Sequence, residues 1–485
     1  MSIRVVLKYL GLVLVVLGAM LLFPLVWSVA SSDGAATSFI VPILLAWSAG
    51  PLLWFRLGSL KRSITRREGL ALVTCAWLSC ALLGALPYTL SHTLPNYTDA
   101  FFEAMSGFTT TGATVFTSLG EQPQSILLWR NYSQWLGGMG IVTFFVALFP
   151  MFGVGAAHLF DAEMPGPQPE RLRARIRDTA QALWMLYVSF SLAEFLLLLV
   201  GGGLPAFDAL NITFGTMPTG GFLHLSDSIG AYGDNTFVTV VVTVFMLAAG
   251  VNFALYYFMT KRGRRGTLRD DPEFRLYISI FLVASVVVAV DLVHAGGVSV
   301  AEAAKLATFQ VASVQTTTGF ATADFNLWPA LSKGVLVVLM LIGASAGSTG
   351  GGLKVVRVLV VIKYAYRQVI AAFSPRSVIP LRVGGKPVPE GTVSAIVGMA
   401  ILYMIALIGG FIVMSVHGLD AVTAFTSVVA TVGNVGPGMA GVGAVENYAF
   451  IPGTGKVFLT LCMLVGRLEF VTVIALVSPA FWRWR

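Results

Sequence analysis

Long apolar runs dominate the chain, and their lengths carry more information than their periodicity. A hydrocarbon core of about 30 Å takes about 20 apolar residues in helical form. On that criterion the sequence predicts ten spans, over 5–30, 37–55, 70–90, 127–150, 179–203, 236–260, 274–294, 334–362, 392–416 and 457–478. The eighth is interrupted by Gly343-Ala-Ser-Ala-Gly-Ser-Thr-Gly-Gly-Gly352, half glycine and uncharged, before Lys354 resumes a helix-like pattern. Val5 to Ala30 is too long for the apolar region of a signal peptide and lacks a clear small-residue cleavage pattern, so it reads as the first span.

Composition agrees with that pattern. Of 485 residues, 56% are hydrophobic and only 11% charged. A soluble domain carries about 25% charged residues, so this is an integral membrane protein. The excess of 31 Lys+Arg over 23 Asp+Glu would suggest nucleic acid in a soluble chain, but here placement decides. Basic residues crowd alternate connections: Arg56, Lys61, Arg62, Arg66 and Arg67; Arg171, Arg173, Arg175 and Arg177; Lys261, Arg262, Arg264, Arg265, Arg269 and Arg275; Lys363, Arg367, Arg376, Arg382 and Lys386. The positive-inside rule makes that side cytoplasmic, and Arg4, Lys8, Arg483 and Arg485 bring both termini to it. The three cysteines fall inside apolar runs and the five histidines are isolated, so neither a disulfide framework nor a metal constellation is expected.

The side poor in basic residues is the informative one. After spans three, five, seven and nine comes a half-apolar segment too brief to cross, then a turn rich in Gly and Thr. These run from Asp99 to Ala113, Phe207 to Gly221, Ala307 to Phe320 and Asp420 to Gly436. Glycines 112, 220, 319 and 436 are spaced by 108, 99 and 117 residues. The chain thus reads as four tandem membrane-pore-membrane repeats around one pore, all-α, preceded by an extra helix pair. The expected divisions are 1–62 for the N-terminal pair, then repeats at 63–157, 158–265, 266–375 and 376–485.

Irregular backbone at membrane depth survives only where it is buried in protein or lines a wet cavity. Four equivalent turns can converge on one axis, where backbone carbonyls replace an ion's hydration shell. Glycine reaches the dihedrals that align such carbonyls, and the C-terminal ends of the half-helices favour a cation. One Thr-Gly turn alone would be an ordinary re-entrant loop or helix cap. Four at matching positions favour a pore.

The sequence resembles the TrkH/TrkG/KtrB superfamily of bacterial potassium-uptake subunits, most closely the TrkH branch. The resemblance runs over nearly the whole chain. It includes Thr109-Thr-Thr-Gly-Ala113, Gln134-Trp-Leu-Gly-Gly-Met-Gly140, Ala162-Glu-Met-Pro-Gly166, Asp271-Pro-Glu-Phe-Arg275, Gly347-Ser-Thr-Gly-Gly-Gly-Leu-Lys354, Asn434-Val-Gly-Pro-Gly438 and Gly466-Arg-Leu-Glu469. It implies a pseudo-fourfold pore and a homodimer in the bacterial cytoplasmic membrane. The implied potassium-binding filter is Thr110, Thr111, Gly112; Thr219, Gly220, Gly221; Thr317, Thr318, Gly319; and Asn434, Val435, Gly436. Its glycines are taken as Gly112, Gly220, Gly319 and Gly436. Glycine at the first position resembles potassium-preferring members, whereas serine there accompanies sodium preference in related plant transporters. Two departures stand out: Met217-Pro218 precedes the second turn, and the fourth offers both Gly433 and Gly436. Gly436 is preferred because it lies five residues after Thr431, as Gly112 does after Gly107.

The resemblance also implies that the interrupted eighth span is a gating loop, through Gly343, Gly347, Gly350, Gly351 and Gly352, with Arg467 beside it. Low helix propensity and small side chains suit a mobile loop, although a packed kink has the same composition. Arg467, inside an apolar run, either faces the pore as a barrier to cations or bonds a carboxylate or loop carbonyls. Glu194 and Asp291 are also intramembrane but are given no transport role. Glu103 is expected to satisfy backbone near the first turn or to add negative field. Gly436-Pro-Gly-Met-Ala-Gly441 follows no strand, and Lys354 is followed by Val355, so neither dinucleotide nor phosphate-loop chemistry is expected.

The leading function is a gated, channel-like potassium permease. The alternative is a proton- or sodium-coupled symporter with alternating access, although such proteins typically show inverted repeats. No organic cofactor and no enzymatic residue pairing is expected. The cytoplasmic connections are too short to hold a nucleotide-binding domain. The resemblance implies a cytosolic TrkA-type partner that binds NADH/NAD or ATP/ADP.

Overall fold

The computed structural model describes residues 2–57, 64–140, 176–262, 267–374 and 379–483. The Ala162–Gly166 motif, the second half of the predicted 127–150 span, and Lys61, Arg62, Arg171, Arg173, Arg175, Arg264, Arg265, Arg376 and Arg485 lie outside them.

The chain opens with α1 (Ile3–Met20), α2 (Leu22–Ser31) and α3 (Ala36–Arg56), of which α1 and α2 make one bent span. Gly11 on α1 and Gly50 on α3 let the backbones approach closely; a Cβ on Gly11 would lie 2.6 Å from the Gly50 carbonyl. Small residues drive such contacts in lipid, where burial of apolar surface gives no preference for protein over hydrocarbon. Asp33, in the turn between α2 and α3, accepts the Ser125 N–H at 2.8 Å and so ties the pair to the stretch expected as the first repeat.

That repeat contains α4 (Arg66–Gly84), α5 (Leu86–Leu90), α6 (Tyr97–Phe108) and α7 (Gln124–Gly138). The second contains α8 (Ile176–Leu196), which ends in a π-turn over Leu197–Gly201, then α9 (Ala206–Thr216), α10 (Thr236–Ala249) and α11 (Phe253–Arg262). The third follows with α12 (Thr267–Asp270), α13 (Pro272–His294), α14 (Val300–Gln315), α15 (Ala330–Ile342) and α16 (Val355–Phe373). A small hairpin, β1 (Arg382–Val383) with β2 (Lys386–Pro387), leads to the fourth: α17 (Glu390–Val416), α18 (Ala421–Val432), α19 (Gly453–Leu468), α20 (Phe470–Val477) and α21 (Pro479–Arg483).

The four half-apolar segments are helices α6, α9, α14 and α18, of 12, 11, 16 and 12 residues. Twelve residues rise about 18 Å, too little to cross a bilayer. Polar side chains set three of their starts: Asn96, Ser299 and Asp420 each accept a backbone N–H of the first turn.

Six described helices are long and apolar enough to cross, in the regions of spans 5–30, 37–55, 70–90, 179–203, 274–294 and 392–416. The spans over 236–260, 334–362 and 457–478 are broken, the middle one at the interruption that the sequence predicts. The first bends by 89° between Ala249 and Phe253. The second opens into an irregular stretch from Gly343 to Lys354, and the third is interrupted at Glu469, whose φ is +59°. Hydropathy counts residues and cannot see a break whose freed backbone groups find partners in neighbouring elements.

Candidate functional site at the four Thr-Gly turns

Each short helix ends in the same backbone figure. Thr110, Thr219, Thr317 and Asn434 have φ of 54°, 54°, 60° and 52°, and two residues later Gly112, Gly221, Gly319 and Gly436 have φ of 80°, 76°, 82° and 97°. Between them, Thr111, Gly220, Thr318 and Val435 donate their N–H groups five residues back, to Ser106, Gly215, Ser313 and Ala430, at 2.8–2.9 Å. This register differs from the expected one in the second turn. Gly221 stands where Gly112 does, Gly220 where Thr111 does, and Pro218 where Thr109 does. Adjacent glycines conceal this in the sequence; the backbone decides it. In the fourth turn Gly436 holds the matching place, whereas Gly433 caps α18 at φ −76°.

The turns close into a ring. A side chain on Gly112 would overlap the Gly220 carbonyl, one on Gly221 the Thr318 carbonyl, and one on Gly319 the Val435 carbonyl. On Gly436 it would lie 2.6 Å from the Thr111 carbonyl. The contacts thus run from the first turn to the second, third and fourth, and back to the first.

Their supports are unequal. In the first and third turns the hydroxyls pair within the turn, Thr109 with Thr111 and Thr316 with Thr318, both at 2.8 Å. The fourth has Asn434, whose Nδ2 donates to Thr111 Oγ1 at 2.9 Å and to the Met463 carbonyl at 3.0 Å. The second is held from α7: Gln134 Nε2 donates to the Gly220 carbonyl at 2.6 Å, and its Oε1 accepts the Phe222 N–H at 2.9 Å. Glu103 accepts from Arg130 Nε at 2.6 Å and from the Val115 N–H at 2.9 Å, while Arg130 donates to the Leu223 carbonyl at 2.8 Å. Gln134 and Arg130 were not singled out for these roles in the sequence, because the Gly220 and Leu223 carbonyls they bond lie 86 and 93 residues away.

The glycine-rich loop packs against the second and third turns and the C-cap of α18. Thr349 Oγ1 accepts from Thr219 at 3.3 Å and donates to the Met217 carbonyl at 3.1 Å. The Gly351 N–H donates to Thr317 Oγ1 at 2.6 Å, and a Cβ on Gly351 would overlap the Gly433 carbonyl. Gly350 lies against the Thr316 carbonyl, while Gly343 and Gly352, at φ of 73° and 75°, close the loop on itself. Gly347 packs on Asn252, and its carbonyl accepts the Phe253 N–H at 3.0 Å, so the break between α10 and α11 mates with the loop. Glu273 Oε1 accepts the Ala346 N–H at 2.6 Å and the Val356 N–H at 3.2 Å. Lys354 Nζ donates to the Gly350 carbonyl.

Arg467 joins this loop to the first repeat. Its Nη1 donates to the Thr349 carbonyl at 2.8 Å and to Thr110 Oγ1 at 3.1 Å. Its Nη2 donates to the Gly137 and Gly138 carbonyls at the end of α7, each at 2.7 Å. Loop-carbonyl bonding is thus observed for Arg467, while Glu469 pairs elsewhere, with Arg357 at 2.6 Å. Among the other acids, Asp291 caps the first turn of α15 through Ser332, and Glu194 is fully buried with its carboxyl toward Thr216. Beyond the second turn, Asp208 pairs with His224 at 3.0 Å and accepts the Tyr232 hydroxyl at 2.8 Å. Burial holds the His224 imidazole below its usual pKa, opposed in part by the Asp208 carboxylate.

Comparison with known proteins places this geometry. The TrkH family profile, described as cation transport protein, matches residues 36–483. The Trk system potassium uptake protein TrkH of Salmonella typhimurium is 37% identical over 100% of both chains. That of Escherichia coli K12 is 36% identical, also over 100% of both. The crystal structure of the potassium transporter TrkH from Vibrio parahaemolyticus superposes with a TM-score of 0.89 at 33% identity, covering 100% of each chain. With its ring of four glycine turns and its glycine-rich loop, this chain belongs to the TrkH family of cation transport proteins.

Proposed function

We propose that this protein carries potassium into the cell across the bacterial cytoplasmic membrane. The route is a gated, channel-like pore formed by four tandem membrane-pore-membrane units in pseudo-fourfold arrangement. The observation that carries the reading is the closed ring in which each positive-φ glycine abuts the next turn's carbonyl. Thr110 to Gly112, Thr219 to Gly221, Thr317 to Gly319 and Asn434 to Gly436 form the filter, where carbonyls substitute for water around a dehydrated cation. The names of the Salmonella and Vibrio relatives support potassium as that cation.

The loop from Gly343 to Gly352, clamped by Arg467, is the gate on the side of the pore-helix C-termini. Both chain termini and the basic connections face the cytoplasm. The protein works as a homodimer, and a cytosolic TrkA-type subunit binding NADH/NAD or ATP/ADP releases the loop. The full-length likeness to Trk-system proteins supports that partnership.

Reconstitution tests the reading. Potassium efflux from proteoliposomes should follow the potassium gradient alone, with the same rate whether or not a proton or sodium gradient is imposed. Uphill potassium movement driven by either gradient would establish the coupled symporter instead.

A further inference from the structure

We propose that Gln134, 22 residues outside the nearest filter glycine, is a specificity-determining positioning residue for the second filter turn. The inference rests on the filter reading above and deepens it.

In three turns the position before the glycine carries a side chain: Thr111, Thr318 and Val435. In the second it is Gly220, followed by Gly221, and Pro218 stands where Thr109 and Thr316 supply paired hydroxyls to the first and third turns. Thr219 Oγ1 donates to the Pro218 carbonyl at 2.6 Å, so the turn lacks the paired hydroxyls of the first and third turns, its two glycines add no side-chain bulk, and glycine loses more backbone freedom on ordering than any other residue.

Gln134 fills the gap from α7 of the preceding repeat. A Cβ built on Gly220 would lie 2.5 Å from the Gln134 Cδ, so the carboxamide occupies the space that the missing side chain leaves. Its amide end donates to the Gly220 carbonyl at 2.6 Å and its oxygen accepts from the Phe222 N–H at 2.9 Å, bracketing Gly221 on both sides. Gln134 is fully buried, so water does not compete for either bond. The Gly220 carbonyl is the one that Gly112 abuts, so its direction sets the seam between the first and second turns. With one of its lone pairs committed to Gln134, the second turn presents a different field from the other three, and the filter is asymmetric at this layer.

Gln134→Leu keeps the bulk and removes both bonds. The potassium-to-sodium flux ratio in proteoliposomes should fall by roughly three- to tenfold, while total cation flux is kept or rises. The more direct test rebuilds the turn. Gly220 has no positive φ and accepts a side chain once the space is free. Gln134→Ala should lose selectivity, and adding Gly220→Thr, which recreates the Thr-Thr-Gly of the first and third turns, should recover it. A wild-type ratio in Gln134→Leu or Gln134→Ala overturns the proposal. If Gln134→Leu does not accumulate as folded protein, the alanine and double variants carry the test. Failure of the double variant to recover any selectivity then counts against it. Gly112→Ser, measured alongside, separates the two levels: if it shifts the ratio and Gln134 variants do not, the filter stands without Gln134. If none shifts it, the filter reading itself fails.

Discussion

Arg467 holds the Thr349 carbonyl at 2.8 Å, and through the same guanidinium it reaches Thr110 and the last carbonyls of α7. One side chain of α19 therefore fastens the Gly343–Gly352 loop to the turn after α6 and to the end of α7. Lysine cannot reproduce this, because a single ammonium lacks the planar fork that addresses several acceptors at once. Both Arg467→Ala and Arg467→Lys should raise potassium flux in the absence of any partner. The alanine effect should be tenfold or more, since one charge-assisted bond of about 1.5 kcal/mol already corresponds to roughly that factor. A lysine variant as closed as wild type would show that charge alone is the barrier.

Shortening the loop within Gly343 to Gly352 should also raise partner-independent flux. The loop touches the second and third turns and Gly433 through Thr349, Gly350 and Gly351, and Arg467 links it to Thr110 of the first. Single-channel recording or liposome efflux would read the change. A folded, shortened protein that conducts no faster than wild type would mean the loop does not obstruct.

Gly112→Ser should relax selectivity toward sodium by about tenfold. Gly112 sits at φ 80° with the Gly220 carbonyl against it, so a side chain brings both backbone strain of about 1–3 kcal/mol and a steric shift of that carbonyl. Bi-ionic potentials across a planar bilayer would give the permeability ratio directly; an unaltered ratio would refute the filter assignment.

Glu273 ties the loop, at Ala346, to the first turn of α16, at Val356. Glu273→Ala leaves two N–H groups in a poorly solvated place without their acceptor and should cost about 2–4 kcal/mol of stability. Basal flux should rise with it. Glu273→Gln keeps an acceptor oxygen and should stay near wild type in both thermal unfolding and flux. If alanine and glutamine variants match each other, the carboxylate's charge and not its acceptor geometry is what matters.

His224 gives the protein a pH dependence with a defined sign. Its folded pKa lies below the usual 6.5, chiefly through burial, so the folded state favours the neutral ring. The stability contribution is complete above the unfolded value and is lost as pH falls from about 6.5 through the lower folded value. Protonation also places a cation near the second turn, three residues past Gly221. Potassium flux should therefore decline on acidification of that face from pH 7 to 5, and His224→Gln should flatten the profile. An identical profile in the glutamine variant would remove His224 as the source.

The four short helices and their glycine turns were legible in the sequence because both are local. Short apolar segments cannot cross a membrane, and glycines at matching intervals betray turns that need unusual dihedrals. The second turn's register was not legible, since Gly220 and Gly221 are chemically identical and only the distance from the end of α9 tells them apart. The breaks after α10 and α19 escaped hydropathy because Ser345, Gly347 and other groups in a distant loop satisfy backbone that the bend after α10 frees, and because Glu469 finds Arg357. Arg467 was visible as an expensive charge in an apolar run, yet its choice between barrier and clamp depended on which carbonyls surround it. Gln134 and Arg130 looked ordinary along the chain. Their roles exist only where α7 meets the turn of the next repeat, and that juxtaposition of groups some 86 to 93 residues apart is a product of tertiary packing.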